Sequence, residues 1–230
     1  MCNACSPAYR PERKFAMSLP DSLRQRLRLP VIAAPMFLVT GLALVLSACR
    51  SGIIGALPAL NARSPEVFGQ WLDEVATALA AEPQSGPLAV NIATPQFGGK
   101  RWAADMELVR QHQVPIVITA IGDPSEVVQE VHRWDGIVLH DATTLAHAEK
   151  AVKAGVDGLN VICGGAGGHA GLLNPFTFVP QVRRLFDGIV CLAGAIGDGR
   201  SIWAAQALGA DLVYMGTRFI ATEESLAVQE

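Results

Sequence analysis

The chain has 230 residues, half of them hydrophobic and 17% charged, which excludes an intrinsically disordered protein and suits one large domain. Its 18 basic and 21 acidic residues give a formal net charge of −3, so the sequence lacks the basic character typical of nucleic-acid-binding proteins. The composition therefore favours a protein that acts on a small molecule.

The cysteines and the first residues indicate the compartment. Five cysteines are too few, and odd in number, for the disulfide framework of a secreted protein, so we expect a reducing cytoplasm. Cys2 and Cys5 form a C-x-x-C pair, but the second pair or nearby histidine that a zinc site needs does not follow. We interpret residues 1–28 as an N-terminal leader, with residues 1–16 disordered, and residues 29–230 as one domain.

An uncharged stretch covers residues 31–49 and approaches the roughly 20 residues that cross a bilayer. Pro35 and Gly41 interrupt it, because neither residue suits the interior of a continuous helix. We therefore expect a strand at residues 31–34, a turn and a buried helix at residues 42–49, with no membrane segment.

Short runs rich in valine, isoleucine and leucine recur along the chain, and most are separated by enough residues for one helix. Continuous apolar runs of this kind are typical of parallel strands that are buried on both faces. Three helix starts are marked by an N-cap residue followed by proline, at Ser64-Pro65, Asp123-Pro124 and Asn174-Pro175. Eight runs predict an α/β fold of the (βα)8 barrel type, with an open doubly wound sheet as the alternative. The runs begin near Val31, Ile53, Leu88, Pro115, Gly136, Gly158, Ile189 and Asp211.

The end of the barrel is short. Only about fifteen residues follow the eighth run, which is too few for a loop and a full outer helix of the usual barrel unit. We therefore expect a barrel that is truncated before its last helix and before a C-terminal cap. No linker or low-complexity tract divides the residues from 29 onward.

The sixth run is followed by a glycine-rich loop. In a βα barrel the functional residues follow the carboxyl ends of the strands. Residues 163–171 contain five glycines, which allow the backbone to approach a flat ligand closely. His169 stands in this loop, and an unperturbed histidine pKa near 6.5 suits general acid–base catalysis at neutral pH. We predict His169 as the catalytic residue, against the alternative of an ordinary loop histidine.

The loops after the seventh and eighth runs indicate a phosphate site. Gly194-Ala195 and Gly216-Thr217 stand where phosphate-binding barrels supply backbone N–H groups, together with the start of a short helix. The alternative is a pair of tight turns, with Asp198 acting only as the N-cap of the next helix.

Other barrel chemistries fit less well. All four lysines lie outside the predicted strands, which disfavours a Schiff-base aldolase. A sugar-phosphate isomerase needs a carboxylate base at a strand end, and Asp141 is the one candidate. A metal set of His140, Asp141 and His169 would require neighbouring strand residues to face the same way, which strand geometry opposes. A glycine-rich, charge-poor barrel mouth therefore favours an organic cofactor.

Four motifs occur in order along the chain: Ala34-Pro35-Met36, Val90-Asn91-Ile92, Gly167-Gly168-His169-Ala170-Gly171 and Met215-Gly216-Thr217-Arg218-Phe219. In this combination the chain resembles the nitronate monooxygenases, formerly called 2-nitropropane dioxygenases, from about residue 29 to residue 222. Flavin-dependent enoyl-acyl-carrier-protein reductases and some NAD(P)H:quinone reductases resemble it too.

The resemblance implies an FMN-dependent oxidoreductase that oxidises alkyl nitronates, or nitroalkanes, with O2 to carbonyl compounds and nitrite. It implies that His169 takes a proton from the carbon beside the nitro group. The FMN phosphate would lie on Gly194, Ala195, Gly216 and Thr217. The remaining FMN contacts would be Ala34, Pro35, Met36, Asn91, Asp141, Gly167 and Gly168.

Several points stay open at this stage. No G-x-G-x-x-G with a following ribose-binding acid is present, which favours FMN over FAD or a nicotinamide. Relatives often have lysine at position 141 and glycine at position 195. A reductase and a non-catalytic flavin- or metabolite-binding fragment are the competing interpretations. We expect a small-molecule substrate and O2 as partners, without nucleic acid or membrane, and a homodimer is left open.

Overall fold

The computed structural model describes residues 18–168 and 170–228. Within them, eight parallel strands follow one another around a closed barrel, and the last strand pairs with the first. The strands are β1 (Val31–Ala33), β2 (Ile54–Pro58), β3 (Leu88–Ala93), β4 (Ile116–Ala120), β5 (Ile137–Ala142), β6 (Gly158–Ile162), β7 (Ile189–Ala193) and β8 (Leu212–Met215).

Helices alternate with the strands and cover the outside of the barrel. They are α1 (Asp21–Arg24), α2 (Leu42–Arg50), α3 (Pro65–Ala80), α4 (Trp102–Gln111), α5 (Ser125–Val131), α6 (Leu145–Lys153), α7 (Pro175–Leu185), α8 (Gly199–Leu208) and α9 (Thr217–Ile220). In α3, Phe68, Leu72 and Val75 repeat at helical spacing and are buried against the sheet.

The alternation of side chains along each strand divides the core into two layers. In β4, Ile116 and Ile118 belong to the cluster inside the barrel, whereas Val117 belongs to the cluster between strands and helices. In β5, Leu139 and Val138 divide in the same way. Both layers are apolar, which is why the strands read as continuous hydrophobic runs in the sequence.

The predicted barrel is confirmed, and the open-sheet alternative is wrong. Every strand begins within one residue of its predicted start, and the uncharged stretch forms β1 and α2. One helix start differs, because α5 begins after Pro124 and not at it; Asp123 still accepts a 2.9 Å hydrogen bond from the N–H of Ser125. In the described part of the chain, no helix has both the length and the hydrophobicity to cross a bilayer.

The described residues before β1 and after β8 can be compared with the predicted domain bounds. Leu19 and Leu23 are buried in the interior cluster, at the amino-terminal end of the barrel. The disorder expected for residues 1–16 lies outside the described residues, and the bounds of the leader stay a prediction. In the described chain after β8, α9 is the one helix, and the expected truncation stays a prediction.

An ion pair links several elements at the amino-terminal end of the barrel. Arg183 on α7 pairs with the buried Asp211, and its guanidinium also donates to the carbonyl oxygens of Gly188 and Gly209, at 2.5 and 2.6 Å. Asp211 accepts further hydrogen bonds from the N–H groups of residues 18 and 190, each at 2.8 Å. The pair therefore joins α7, β7, β8 and the N-terminal segment.

We expect Arg183→Ala to lower the free energy of unfolding by about 3 kcal/mol, because the substitution leaves the Asp211 carboxylate buried without its cation. Arg184→Ala is the matched control, since Arg184 is an exposed neighbour on the same helix, and should change stability by no more than about 0.5 kcal/mol. Urea unfolding followed by circular dichroism measures both. Equal losses in the two variants would contradict a special role for the pair.

Candidate active site

A cavity of about 1130 Å³ opens at the carboxyl ends of the strands. It exceeds the roughly 300–1000 Å³ typical of a site for one small ligand. The structure brings all eleven residues predicted to contact FMN around this cavity: Ala34, Pro35, Met36, Asn91, Asp141, Gly167, Gly168, Gly194, Ala195, Gly216 and Thr217. Their ligand contacts stay predictions, but their common location follows from the fold, because parallel strands place all their carboxyl ends at one end of a barrel.

His169, the predicted catalytic residue, lies outside the described residues. Residues 165–168, which directly precede it in the loop after β6, line the cavity. Its assignment as the base therefore continues to rest on the sequence.

Three polar side chains form the floor of the cavity: Asn91 on β3, Asp141 on β5 and Tyr214 on β8. Asn91 donates from Nδ2 to the carbonyl oxygen of Ile118 at 3.2 Å. Burial, followed by the nearby charge of Asp141, raises the pKa of Tyr214 well above its ordinary value, so its hydroxyl stays protonated at neutral pH. Sequence reasoning missed Tyr214, although period-2 alternation back from Gly216 places it on the interior face.

Asn160 on β6 supports the floor from within the barrel. Its Nδ2 donates to Oδ1 of Asp141 at 2.8 Å, and the residue is fully buried. Its Oδ1 has no hydrogen-bond partner among the described residues, which is unusual for a buried amide. A single asparagine inside an apolar strand was the sequence signal for this residue, and it was overlooked.

The structure separates His140 from Asp141. Strand β5 continues to Ala142, so these two neighbours point to opposite sides of the barrel wall. Asp141 faces the cavity, whereas Nδ1 of the buried His140 lies 2.8 Å from Oγ1 of Thr119. The two side chains therefore do not face the same side of the wall, as alternation along a strand requires.

The buried His140 should make stability depend on pH. Burial lowers the pKa of His140 to about 4 in the folded state, against about 6.5 for an ordinary histidine. Between these pH values the unfolded chain binds a proton at His140 that the folded chain does not. The titration of this histidine therefore does not affect the free energy of unfolding above pH 6.5, and it lowers that free energy as the pH falls toward 4.

We expect the unfolding free energy of wild type, relative to that of His140→Gln, to fall by about 3 kcal/mol from pH 7.5 to pH 4, at 1.36 kcal/mol per pKa unit. Urea unfolding at a series of pH values measures this difference. Parallel stability curves for the two proteins would contradict the burial argument.

The loops after β6 and β7 are locked together by close backbone contacts. Gly194 has a φ of +122°, and a Cβ added there would lie 3.0 Å from the carbonyl oxygen of Gly164. Ala195 adopts the left-handed conformation with a φ of +55°, and its N–H donates to the carbonyl oxygen of Gly165 at 3.2 Å. This conformation costs an alanine about 1 kcal/mol and is open to glycine without that cost.

The start of α8 is already capped by its own side chains. Oδ1 of Asp198 accepts from the N–H of Ser201 at 2.8 Å, and Oγ of Ser201 accepts from the N–H groups of Gly197 and Asp198. Asp198 is therefore an N-cap, and the phosphate site stays a prediction. These N–H groups are occupied, so a phosphate would depend more on the loop after β8 than the sequence suggested.

The short helix α9, which follows β8, carries the positive charge of the site. Arg218 lines the cavity beside Thr217, and among the described residues that line it Arg218 is the one cation. Three exposed apolar side chains, which we call the rim, also line the opening: Phe37 is 65% exposed, Leu60 49% and Ile220 40%. Sequence reasoning did not assign a role to these four residues.

We expect Gly194→Ala to lower the unfolding midpoint and to weaken flavin binding, because the added methyl group meets backbone atoms that cannot move independently. The destabilisation should be at least about 1 kcal/mol. Gly197→Ala is the matched control in the same loop, since a Cβ there meets nothing within 4 Å. Equal unfolding midpoints and equal flavin affinities in the two variants would contradict this explanation.

Comparison with known proteins identifies the family. The family model described as nitronate monooxygenase matches residues 74–229, which is more than half of the chain. The chain belongs to the nitronate monooxygenase family. The predicted resemblance is thereby confirmed.

Curated relatives differ in their named activities. A probable nitronate monooxygenase of Staphylococcus haemolyticus is 31% identical over 176 residues, which cover 71% of this chain and 47% of that protein. A (3aS,4S,5R,7aS)-5-hydroxy-7a-methyl-1-oxo-octahydro-1H-indene-4-carboxyl-CoA dehydrogenase of Rhodococcus jostii is 29% identical over 196 residues, covering 85% of this chain and 53% of that protein. The chain thus spans about half the length of these two relatives.

Solved structures share the barrel. FabK from Thermotoga maritima superposes with a TM-score of 0.77 and 26% identity, covering 87% of this chain and 62% of that one. A nitroalkane oxidase from Streptomyces ansochromogenes also has a TM-score of 0.77, with 25% identity over 90% of this chain and 70% of that one. The structural similarity therefore extends over about nine tenths of the chain.

Proposed function

We propose that the complete protein is an FMN-dependent nitronate monooxygenase, which oxidises alkyl nitronates or nitroalkanes with O2 to a carbonyl compound and nitrite. One observation carries the proposal: eleven residues predicted from six separate parts of the sequence line a single cavity of the barrel. Membership of the family supports an oxidoreductase reaction, and this cavity is where we propose that it takes place.

The cavity suits FMN in shape and in chemistry. Its walls include Ala34, Ala195 and glycines of the loops after β6, β7 and β8, so backbone can lie against the faces of a flat ring. The floor offers a protonated hydroxyl from Tyr214 and a carboxylate from Asp141 to the polar edge of a ring. Arg218 and the adjoining Gly216 and Thr217 suit one phosphate group. When bound, FMN would supply the electron acceptor that amino-acid side chains lack.

The side chains would then have separate tasks. His169 removes the proton from the carbon beside the nitro group when the substrate is a neutral nitroalkane. Pro35 and Met36 form the wall next to the phosphate loop, and a Cβ added to Gly216 would lie 3.4 Å from the sulfur of Met36. Substrate and O2 enter from the open side of the cavity.

A second candidate is a flavin-dependent reductase or dehydrogenase that acts on a bulky acyl thioester. The exposed rim of Phe37, Leu60 and Ile220, with a cavity larger than a nitroalkane needs beside a flavin, favours it. The Rhodococcus jostii relative is itself named a dehydrogenase of a ring-bearing acyl-CoA. Oxygen-dependent nitrite release supports the first candidate, whereas NAD(P)H oxidation that requires an enoyl thioester or a quinone supports the second. A flavin-loaded protein inactive in both assays would indicate a binding protein.

The cofactor can be identified directly. We expect the full-length protein to be yellow as purified and to release FMN on acid denaturation, because the cavity offers one cationic phosphate loop. Reverse-phase chromatography of the released cofactor distinguishes FMN from FAD. FAD, or a colourless protein that takes up no FMN, would contradict the assignment.

We expect His169→Ala in the full-length protein to reduce turnover of nitroethane by about 10²- to 10⁴-fold, the usual contribution of a general base. Turnover of preformed ethyl nitronate should fall much less, because that substrate has already lost the proton. His132→Ala is the matched control, since His132 lies at the amino-terminal end of the barrel, bonded to Asp157. Oxygen uptake and nitrite release measure both substrates.

The two alternatives for His169 give different results. Equal losses on nitroethane and on nitronate, with flavin retained, would mean that the histidine orients the ligand and is not the base. Unchanged turnover of nitroethane would make it an ordinary loop histidine.

A further inference from the structure

The turn after β1, residues 34–40, forms one wall of the cavity through its first residues, Ala34, Pro35, Met36 and Phe37. The same turn contains Leu38, whose φ of +61° lies in the left-handed region. That conformation costs a residue with a bulky side chain about 1–2 kcal/mol. The turn therefore needs contacts that hold it in place.

One side chain from a different loop supplies these contacts. Asn61 ends the 3₁₀ turn (Ala59–Asn61) after β2. Its Nδ2 donates to the carbonyl oxygens of Met36 at 2.9 Å and Thr40 at 2.8 Å, and its Oδ1 accepts from the N–H of Leu38 at 3.0 Å. Both N–H groups of the amide and its oxygen are thus bonded to the backbone of the turn, including the strained residue.

Thr40 completes the closure of the turn. Its hydroxyl oxygen accepts from the N–H of Met36 at 3.0 Å and lies 3.3 Å from the carbonyl oxygen of Ala34, to which it donates. Thr40 is almost fully buried, so water does not compete for these bonds.

The loop that carries Asn61 is anchored in turn by Arg101, the residue directly before α4. The guanidinium of Arg101 donates to the carbonyl oxygens of Ala62 at 2.8 Å and Ala59 at 3.2 Å. The carboxylate of Asp105 holds the same guanidinium through two bonds of 2.7 and 2.9 Å. Asn61 therefore projects from a loop that is fixed on both sides, which makes it suitable for holding another loop.

We propose that Asn61 is a positioning residue of the active site, which holds the 34–40 turn so that Pro35 and Met36 form the wall facing the loop after β8. The inference rests on the proposed function in one respect, since FMN is the ligand whose binding the wall would shape. Met36 is the link between the two loops, because its sulfur would lie 3.4 Å from a Cβ added at Gly216. A shift of the turn would therefore change the width of the cavity beside Gly216 and Thr217.

The experiment compares Asn61→Ala and Asn61→Asp with wild type in the full-length protein. Asn61→Asp keeps the size of the side chain and the acceptor for Leu38, but it sets a carboxylate oxygen against the carbonyls of Met36 and Thr40. We expect both variants to raise the dissociation constant of FMN at least tenfold, measured by flavin fluorescence on the apoprotein. The visible circular dichroism of the bound flavin should change as well.

Trp134→Phe is the matched control for a general loss of stability. It removes a 3.0 Å hydrogen bond from Nε1 to the carbonyl oxygen of Val114 at the opposite end of the barrel. It should lower the unfolding midpoint while leaving the dissociation constant of FMN within twofold of wild type. If Asn61→Ala does not fold, Thr40→Val provides the second test, since it keeps the shape and removes the bonds within the turn, and it should also weaken FMN binding tenfold.

FMN affinity within twofold of wild type in both Asn61 variants, or the same loss of affinity in Trp134→Phe, would overturn the proposal. Failure of the proposed function gives a different pattern. Wild-type protein that binds FMN but releases no nitrite contradicts the monooxygenase, and the affinities of the Asn61 variants still decide the positioning role.

Discussion

The register of the barrel, closed by the parallel pairing of β8 with β1, determines the chemistry of the whole molecule. Side chains alternate along a strand, so one choice of register decides which residues face the interior and which face the helices. Asp141 faces the cavity for this reason, while its neighbour His140 is buried behind the wall against Thr119. A shift of β5 by one residue would exchange the two and place an imidazole where the carboxylate now stands.

The fold could be predicted because both layers of the core are apolar. Strands that are hydrophobic on both faces give unbroken runs in the sequence, and eight such runs suffice for the barrel. The start of α5 was displaced by one residue because Pro124 precedes the first helical residue and does not occupy it. The pair of Arg183 and Asp211 could not be foreseen, since their contact depends on how α7 lies across β7 and β8. Sequence spacing carries no information on that packing.

The candidate site was predictable to the extent that its residues follow strand ends. Gly194 and Gly216 could be located in this way because glycine is conspicuous where a backbone turns sharply or approaches a ligand. Tyr214 and Asn160 were missed because they stand within strands, where polar residues are usually taken as exceptions in an apolar run. Asn61 was harder to predict from the sequence. Its partners are backbone groups of another loop, and any residue type could have supplied those groups.

The cavity has a negative charge at its floor, on Asp141, and a positive charge at its exposed edge, on Arg218. The charge of Asp141 at the floor helps to raise the pKa values of Tyr214 and of the fully buried Cys191, after the larger effect of burial, so both groups stay neutral. Arg218 lies at the exposed edge, beside Thr217. A ligand with an anionic group at one end and N–H donors at the other would be attracted in one orientation and repelled in the reverse one. A lysine in place of Asp141 would remove this gradient, so the electrostatic preference for one orientation depends on the carboxylate at this position.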